Sequence, residues 1–257
     1  MKKLFIIGTG RNGSKLTAKV FSTSVNSKHI HGEIHHGLDP IFFKKAYLGQ
    51  TSKDKIINEF RQSRNKAIKA GNRIYIEKNH LIVPILNQVL EAYPDALFLY
   101  VSRNPKDIIR SLNARAVYQN GTTKYDLGRL SPAKNDKYYG VWSTFTKFEK
   151  VCWYVSTMMN MCERFIHYLP TYQYRIIAYE NFVKNPSVFK EIFEWLELEF
   201  NFEKIKGILG TQIGSSARSQ KEVSYKIINK GKFKNTQHWK DWSDERKEIY
   251  RRFFGKW

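Results

Sequence analysis

Apolar positions along the chain fall into short unbroken runs separated by stretches with a helical period. Residues 3–7, with Leu4-Phe5-Ile6-Ile7 continuous, read as a strand buried on both faces, the pattern of the interior of a parallel sheet. Residues 8–13 form a glycine-rich turn, and from Ser14 onward Leu16, Val20, Phe21 and Val25 share one side and predict a helix. Residues 73–77 alternate as a short strand, and residues 96–102 and 174–178 read as two more. Helices are predicted over the polar, basic stretch 54–70, which suits the surface, and over 81–92 with Pro84 in its first turn. Others are predicted over 104–115, opening at Pro105, and over 141–168, 186–196 and 244–254. Residues 26–37 hold four of the seven histidines without a clear period, and 116–139 reads as loop. Strands alternating with helices, with no repeat or linker, predict one α/β domain over residues 1–257. Its expected core is a mainly parallel sheet of four or five strands flanked by helices.

Two segments carry candidate chemistry. Gly8-Thr9-Gly10-Arg11-Asn12-Gly13-Ser14-Lys15 joins a buried strand to a helix start, where first-turn amides lack intrahelical partners and the helix dipole is positive. As Gly-x-Gly-x-x-Gly it matches a dinucleotide fingerprint, but a second strand ending in an acid about 20 residues on is missing. Glu33 has the distance and sits among turn-like histidines. As a Walker loop the segment is out of register, because Lys15 follows Ser14. The second segment is Tyr100-Val101-Ser102-Arg103-Asn104-Pro105-Lys106-Asp107, with Ser111 two helical turns after Arg103. A strand-end Arg supplies a fork matched to phosphate and the Ser a hydroxyl. Each charge-assisted bond of that kind is worth about 1.5–3 kcal/mol.

Taken together these segments resemble sulfotransferases that use 3′-phosphoadenosine 5′-phosphosulfate. Arg11-Asn12-Gly13-Ser14-Lys15 stands where that family has Arg/Lys-Ser-Gly-Thr/Ser-Thr/Ser, departing at Asn12 and Lys15. Arg103-Asn104-Pro105-Lys106-Asp107 with Ser111 is similar to the family's 3′-phosphate motif, and Tyr93-Pro94-Asp95-Ala96 to its lead-in. Glu77-Lys78-Asn79 resembles Glu-Lys-Thr-Pro, and Tyr179-Glu180-Asn181-Phe182 resembles Tyr-Glu-Asp-Leu. Lys230-Gly231-Lys232, with Trp239 and Trp242 beyond, resembles a C-terminal Arg-Lys-Gly…Trp segment that lies over the nucleotide, with Asn229 where Arg is usual. The resemblance implies a P-loop NTPase-like α/β fold and transfer of a sulfuryl group from that donor to an acceptor hydroxyl, leaving adenosine 3′,5′-bisphosphate. It implies that Arg11, Asn12, Gly13, Ser14 and Lys15 surround the 5′-phosphosulfate, that Arg103 and Ser111 take the 3′-phosphate, and that Lys230, Gly231 and Lys232 cover the nucleotide.

Sulfuryl transfer is expected to resemble phosphoryl transfer, in which the catalyst positions the reactants and neutralises spreading charge. Arg11, Lys15 and Lys78 are the cationic candidates, and Lys78 matches a family position. Glu33 is expected as the base: it falls 22 residues after Arg11, where family members acting on sugars and tyrosine often carry a Glu. His31, His35 and His36 compete for that role, since imidazole titrates near neutrality. His29, His31, His35 and His36 also have chelating spacing, but no Cys lies near and the reaction needs no metal, so none is expected.

Composition changes this picture at its margins. Lys and Arg number 44 against 23 Asp and Glu, a net charge of +21, which steers anions toward the surface, although a lysine-rich bias alone gives the same figure. Two rival readings follow: another P-loop nucleotide enzyme such as a kinase, or a basic nucleic-acid-binding protein using the cationic tail from Arg218. Cys152 and Cys162, in a helical run, exclude a disulfide scaffold. No apolar run is long enough to span a bilayer, and a cytoplasmic protein is expected. Segments 37–71 and 116–142 are expected to shape the acceptor site. Both are basic, and the second adds Tyr118, Tyr125, Tyr138, Tyr139 and Trp142. Cations beside aromatic faces favour a carbohydrate hydroxyl, on a sugar bearing acidic groups, with no nucleic acid as partner.

Overall fold

The computed structural model describes residues 1–26, 29–32, 38–70, 73–115, 117–118, 124–213 and 238–255. Five strands form one sheet: β1 (Lys2–Ile7), β2 (Ile30–Gly32), β3 (Ile74–Lys78), β4 (Leu97–Ser102) and β5 (Tyr174–Ala178). All neighbours are parallel, in the order β2-β3-β1-β4-β5. Beyond the four predicted strands lies β2, three residues at the edge beside β3, too short to show a period in the sequence.

Period-two alternation sorts the strand residues onto two faces. Phe5, Ile7, Tyr75, Phe98 and Tyr100 point to one, and Leu4, Ile6, Ile76, Leu99 and Val101 to the other. The second face is covered by α1 (Ser14–Val20) and by α9 and α10, defined below. The first is covered by α2 (Pro40–Tyr47), α3 (Lys53–Ala70), α4 (Leu86–Ala92), α5 (Pro105–Asn113) and, after the short α6 (Lys124–Leu127), the long α7 (Lys147–His167). The short α8 (Tyr179–Phe182) follows β5, then α9 (Phe189–Trp195), α10 (Phe202–Ile213) and α11 (Asp244–Phe254), the last packed on α7. Phe5 is the hub of the first layer, its ring within about 6 Å of Phe60, Tyr75, Tyr93 and Phe98. Burying each such ring contributes roughly 1.5–3 kcal/mol.

Several boundaries differ from the sequence expectation for local reasons. The long helix begins at Lys147 rather than 141, because Thr146 and Glu149 form a capping box there. Residues 80–85 wind as a 3₁₀ helix containing Pro84, and the α-helix proper starts at Leu86. Helix α2 was not predicted, although Asp39 caps it and Pro40 opens it, a recognised start signal. Helix α10 was also not predicted.

Helix α3 was expected at the surface, yet Ile56, Phe60 and Arg64 face inward at four-residue spacing. Arg64 is fully buried and forks onto Glu77, also fully buried, at 3.1 Å (Nε to Oε2) and 2.8 Å (Nη2 to Oε1). Tyr75 donates its hydroxyl to Glu77 Oε2 at 2.7 Å, and Asn79 donates Nδ2 to Oε1 at 2.9 Å. Burial and the neighbouring carboxylate push the Tyr75 phenol well up, so it stays protonated and donates. A buried charge pair this fully bonded is costly to break from one side, by about 3–5 kcal/mol. Its consequence is positional, because it locks the end of β3 just before Lys78.

Candidate active site

Parallel strands put all their C-terminal ends at one edge of the sheet. The chain runs outward from β1 to β2 and β3, then crosses to β4 on the other side, so β1 is flanked by the reversal point where α/β sheets open a crevice. Four predicted features meet there: the glycine loop after β1, Lys78 ending β3, Arg103 after β4 and Tyr179 after β5. They line a cleft of about 520 Å³, within the roughly 300–1,000 Å³ usual for small-molecule sites.

The loop is shaped by residues with left-handed backbone. Gly10 (φ 73°), Arg11 (φ 60°) and Gly13 (φ 96°) lie in that region, and Gly13 precedes the first turn of α1. A Cβ on Gly13 would stand 2.3 Å from the Tyr179 ring, so both backbone and space demand glycine. Gly13→Ala is therefore expected to weaken affinity for adenosine 3′,5′-bisphosphate at least about tenfold by calorimetry. An unchanged affinity would show that the loop does not hold the nucleotide. Asn12 is buried, its Nδ2 donating to the Val101 carbonyl at 2.5 Å and its Oδ1 accepting from Ser14 N–H at 3.4 Å. This side chain ties the loop to β4, so what Asn12 can offer a ligand is its backbone.

The two segments expected to cooperate are bonded together. Arg103 donates Nη1 to the Arg11 carbonyl at 2.8 Å, and Arg11 donates Nε to Ser111 Oγ at 3.1 Å. The Arg103 guanidinium lies 4.2 Å above the centre of the Tyr179 ring, and its Nε is buried without a hydrogen-bond partner among the described residues. Glu180 accepts from the Asn104 N–H at 2.9 Å, and the Asn104 side chain caps α5 through the Lys106 N–H at 3.0 Å. The Tyr179-Glu180 pair thus supports Arg103 from below and fixes the start of α5.

Gly10, Arg11, Gly13, Ser14, Lys15, Lys78 and Arg103 all border the cleft, whereas Ser111 reaches it through Arg11. Glu33, His35, His36, Lys230, Gly231 and Lys232 lie outside the described residues. His31 is described and stacks on Tyr75, ring centres 4.9 Å apart. Among the described residues no group of three or more His, Cys, Asp or Glu could hold a metal ion, and no helix is long and apolar enough to cross a membrane. Burial pushes the Cys152 and Cys162 thiols up, away from reactivity.

Sequence reasoning missed His80, Arg115 and Arg129, which also border the cleft. His80 follows Lys78 by two and sits against the loop, 3.1 Å from where a Gly10 Cβ would be. Its signal was adjacency to a family-like segment, outweighed by the richer histidine cluster upstream. Trp242, expected over the nucleotide, is instead buried edge-on against Phe148, ring centres 5.0 Å apart. Trp239 lies beside the start of α5, 4.7 Å from the Lys106 ammonium.

A family model described as "sulfotransferase domain" matches residues 1–257. No curated protein matches the chain significantly in sequence. Among solved structures, the sulfotransferase domain from the curacin biosynthetic pathway superposes at TM-score 0.50 with 16% identity, over 78% of this chain and 75% of that one. Retinol dehydratase, solved with androsterone and inactive cofactor PAP, superposes at TM-score 0.51 with 14% identity, over 99% of this chain and 80% of that one. Likenesses at such identity bear on the fold, and they agree with the sheet described above.

Proposed function

We propose, from the premise that the chain belongs to the sulfotransferase domain family and is a sulfotransferase, that its donor is 3′-phosphoadenosine 5′-phosphosulfate and its acceptor group a hydroxyl. The observation that carries this reading is the bonded triplet Arg103–Arg11–Ser111, which joins two phosphate-type motifs 92 residues apart at the C-terminal ends of β1 and β4. The residues fit the donor on three counts. Arg103 has a buried Nε without a hydrogen-bond partner among the described residues; the loop leaves no room for a Cβ at Gly13; and the described cleft lining includes several cations and no carboxylate.

The donor, when bound, supplies a sulfuryl group activated by a phosphate leaving group. Arg103 and Ser111 are suited to the 3′-phosphate, and the loop amides with the Ser14 hydroxyl to the 5′ end. Arg11, Lys15 and Lys78 border the cleft and supply cationic donors whose contribution appears where charge develops in the transition state. The acceptor must lose a proton. Of the described residues bordering the cleft, His80 is the one that carries an imidazole, whose ring nitrogen can accept a proton, so we assign proton acceptance to an imidazole nitrogen of His80. Glu33 remains the rival base.

The carbohydrate expectation has lost part of its basis. Tyr118 is half-buried with its hydroxyl donated to the Leu130 carbonyl at 2.6 Å, Tyr138 packs on Phe145 and Phe253, and Trp142 packs on Trp153. These rings serve packing, while Arg129 of the same segment lines the cleft.

Arg103→Ala tests the donor assignment. It removes a bidentate phosphate contact and is expected to weaken adenosine 3′,5′-bisphosphate binding at least about tenfold by calorimetry. Wild-type protein is expected to melt later with that nucleotide than with ATP and magnesium. Equal affinity of variant and wild type would reject the 3′-phosphate site.

A further inference from the structure

Even with Arg129 ion-paired to Asp126, the cleft is lined by more cationic side chains than its donor needs. At neutral pH the proposed donor carries about four negative charges, counting close to two for a phosphate monoester. Arg11, Lys15, Lys78 and Arg103 cluster at the loop and match them. Two further guanidiniums line the same cleft from segments that follow α5 and α6, Arg115 and Arg129, and no carboxylate lines it among the described residues.

Arg129 is a prepared donor. Its Nε is held by Asp126 Oδ1 at 3.1 Å, and the same oxygen accepts the Tyr118 N–H at 2.7 Å. The Tyr118 and Tyr154 rings lie 5.9 and 6.0 Å from its guanidinium carbon. Its two terminal nitrogens make no hydrogen bond to described residues, so the outer edge of the fork remains to be used. Arg115 is exposed, and its guanidinium likewise has no bonded partner among the described residues. Its carbonyl is clamped by Lys147 Nζ at 2.6 Å, which fixes where the side chain starts. The same lining has an apolar part, with Phe43, Leu81, Pro84, Leu130 and Met158. Arg115 makes no ion pair among the described residues and Arg129 is ion-paired with Asp126 through its Nε alone, so covering their remaining donor edges with a neutral apolar ligand would strip water without replacement, at high cost. A planar oxyanion would instead meet the fork on two bonds.

We propose that the acceptor is an acidic alcohol or phenol: a hydroxyl on an apolar body that also bears a carboxylate or similar oxyanion, read by Arg129 with Arg115. This inference rests on the sulfotransferase reading and adds to it the chemical class of the acceptor and two specificity-determining residues.

The probes are para-hydroxyphenylacetate and its neutral amide, para-hydroxyphenylacetamide, used with labelled donor for turnover and with adenosine 3′,5′-bisphosphate present for calorimetry. Wild-type enzyme is expected to favour the acid by at least about tenfold in kcat/KM, the size of one charge-assisted pair. Replacing both arginines (R115Q with R129Q) is expected to bring that ratio within about twofold of unity, while adenosine bisphosphate affinity stays unchanged. Should the Asp126 contact make the double variant unstable, R115Q alone is expected to lower the ratio at least about threefold. A wild-type ratio near one, absence of both turnover and binding of the acid, or a variant that keeps the ratio overturns the proposal. Loss of adenosine bisphosphate binding by wild-type protein, measured with no acceptor present, overturns the donor reading beneath it and is thereby told apart.

Discussion

Replacing His80 by glutamine is expected to lower turnover by about 10²–10⁴, the usual worth of a positioned general base, and to leave adenosine 3′,5′-bisphosphate affinity within about twofold. Glutamine keeps bulk against the Gly10 loop, so the donor cradle survives. It cannot take up the acceptor's proton. Glu33→Gln, made alongside, is then expected to turn over at close to the wild-type rate. A Glu33→Gln enzyme that has lost its turnover, beside a His80→Gln enzyme that has not, would move the base to Glu33. Both carboxamides remove a base without adding a charge, which makes the two variants comparable.

Lys78→Met is expected to lower kcat by about 10²–10³, the typical loss on removing one preorganised donor from a developing charge, with at most a few-fold change in nucleotide affinity. The reason is placement. Lys78 ends β3 directly after Glu77, which is held by Arg64, Tyr75 and Asn79 through four hydrogen bonds. Asn79 also accepts from the Leu81 N–H at 2.9 Å, so the turn beyond Lys78 is fixed as well. A lysine held in this way is ready before reaction, and its contribution appears where charge builds up in the transition state. Methionine retains the length and apolar stem of the side chain, so a loss confined to kcat isolates the ammonium. Parallel losses in kcat and in nucleotide affinity would make Lys78 a binding residue.

Much of the fold was readable because buried parallel strands are written as uninterrupted apolar runs. Leu4–Ile7 and Leu97–Ser102 announce themselves in that way, and glycine loop and strand-end arginine stand at their ends. What escaped was short or capped rather than periodic: β2 with three residues, α2 begun by Asp39-Pro40, and the Thr146 cap that delays α7. Arg64 escaped for a different reason. A lone arginine on a basic helix gives no sign that it turns inward, since its partner Glu77 lies on a strand 13 residues away.

By itself the sequence determined the parallel α/β character, the two phosphate-type motifs and the family they resemble, because each rests on contiguous residues whose backbone needs are local. Tertiary structure alone decided which side chains share the cleft. Only the sheet order brings Arg11, Arg103 and Ser111 into contact, only packing sets Tyr118 and Trp142 against other rings, and only the course of the chain after α5 and α6 brings Arg115 and Arg129 to the cleft that His80 also borders. Those decisions depend on distances between residues far apart in the chain, and spacing along the chain does not encode them.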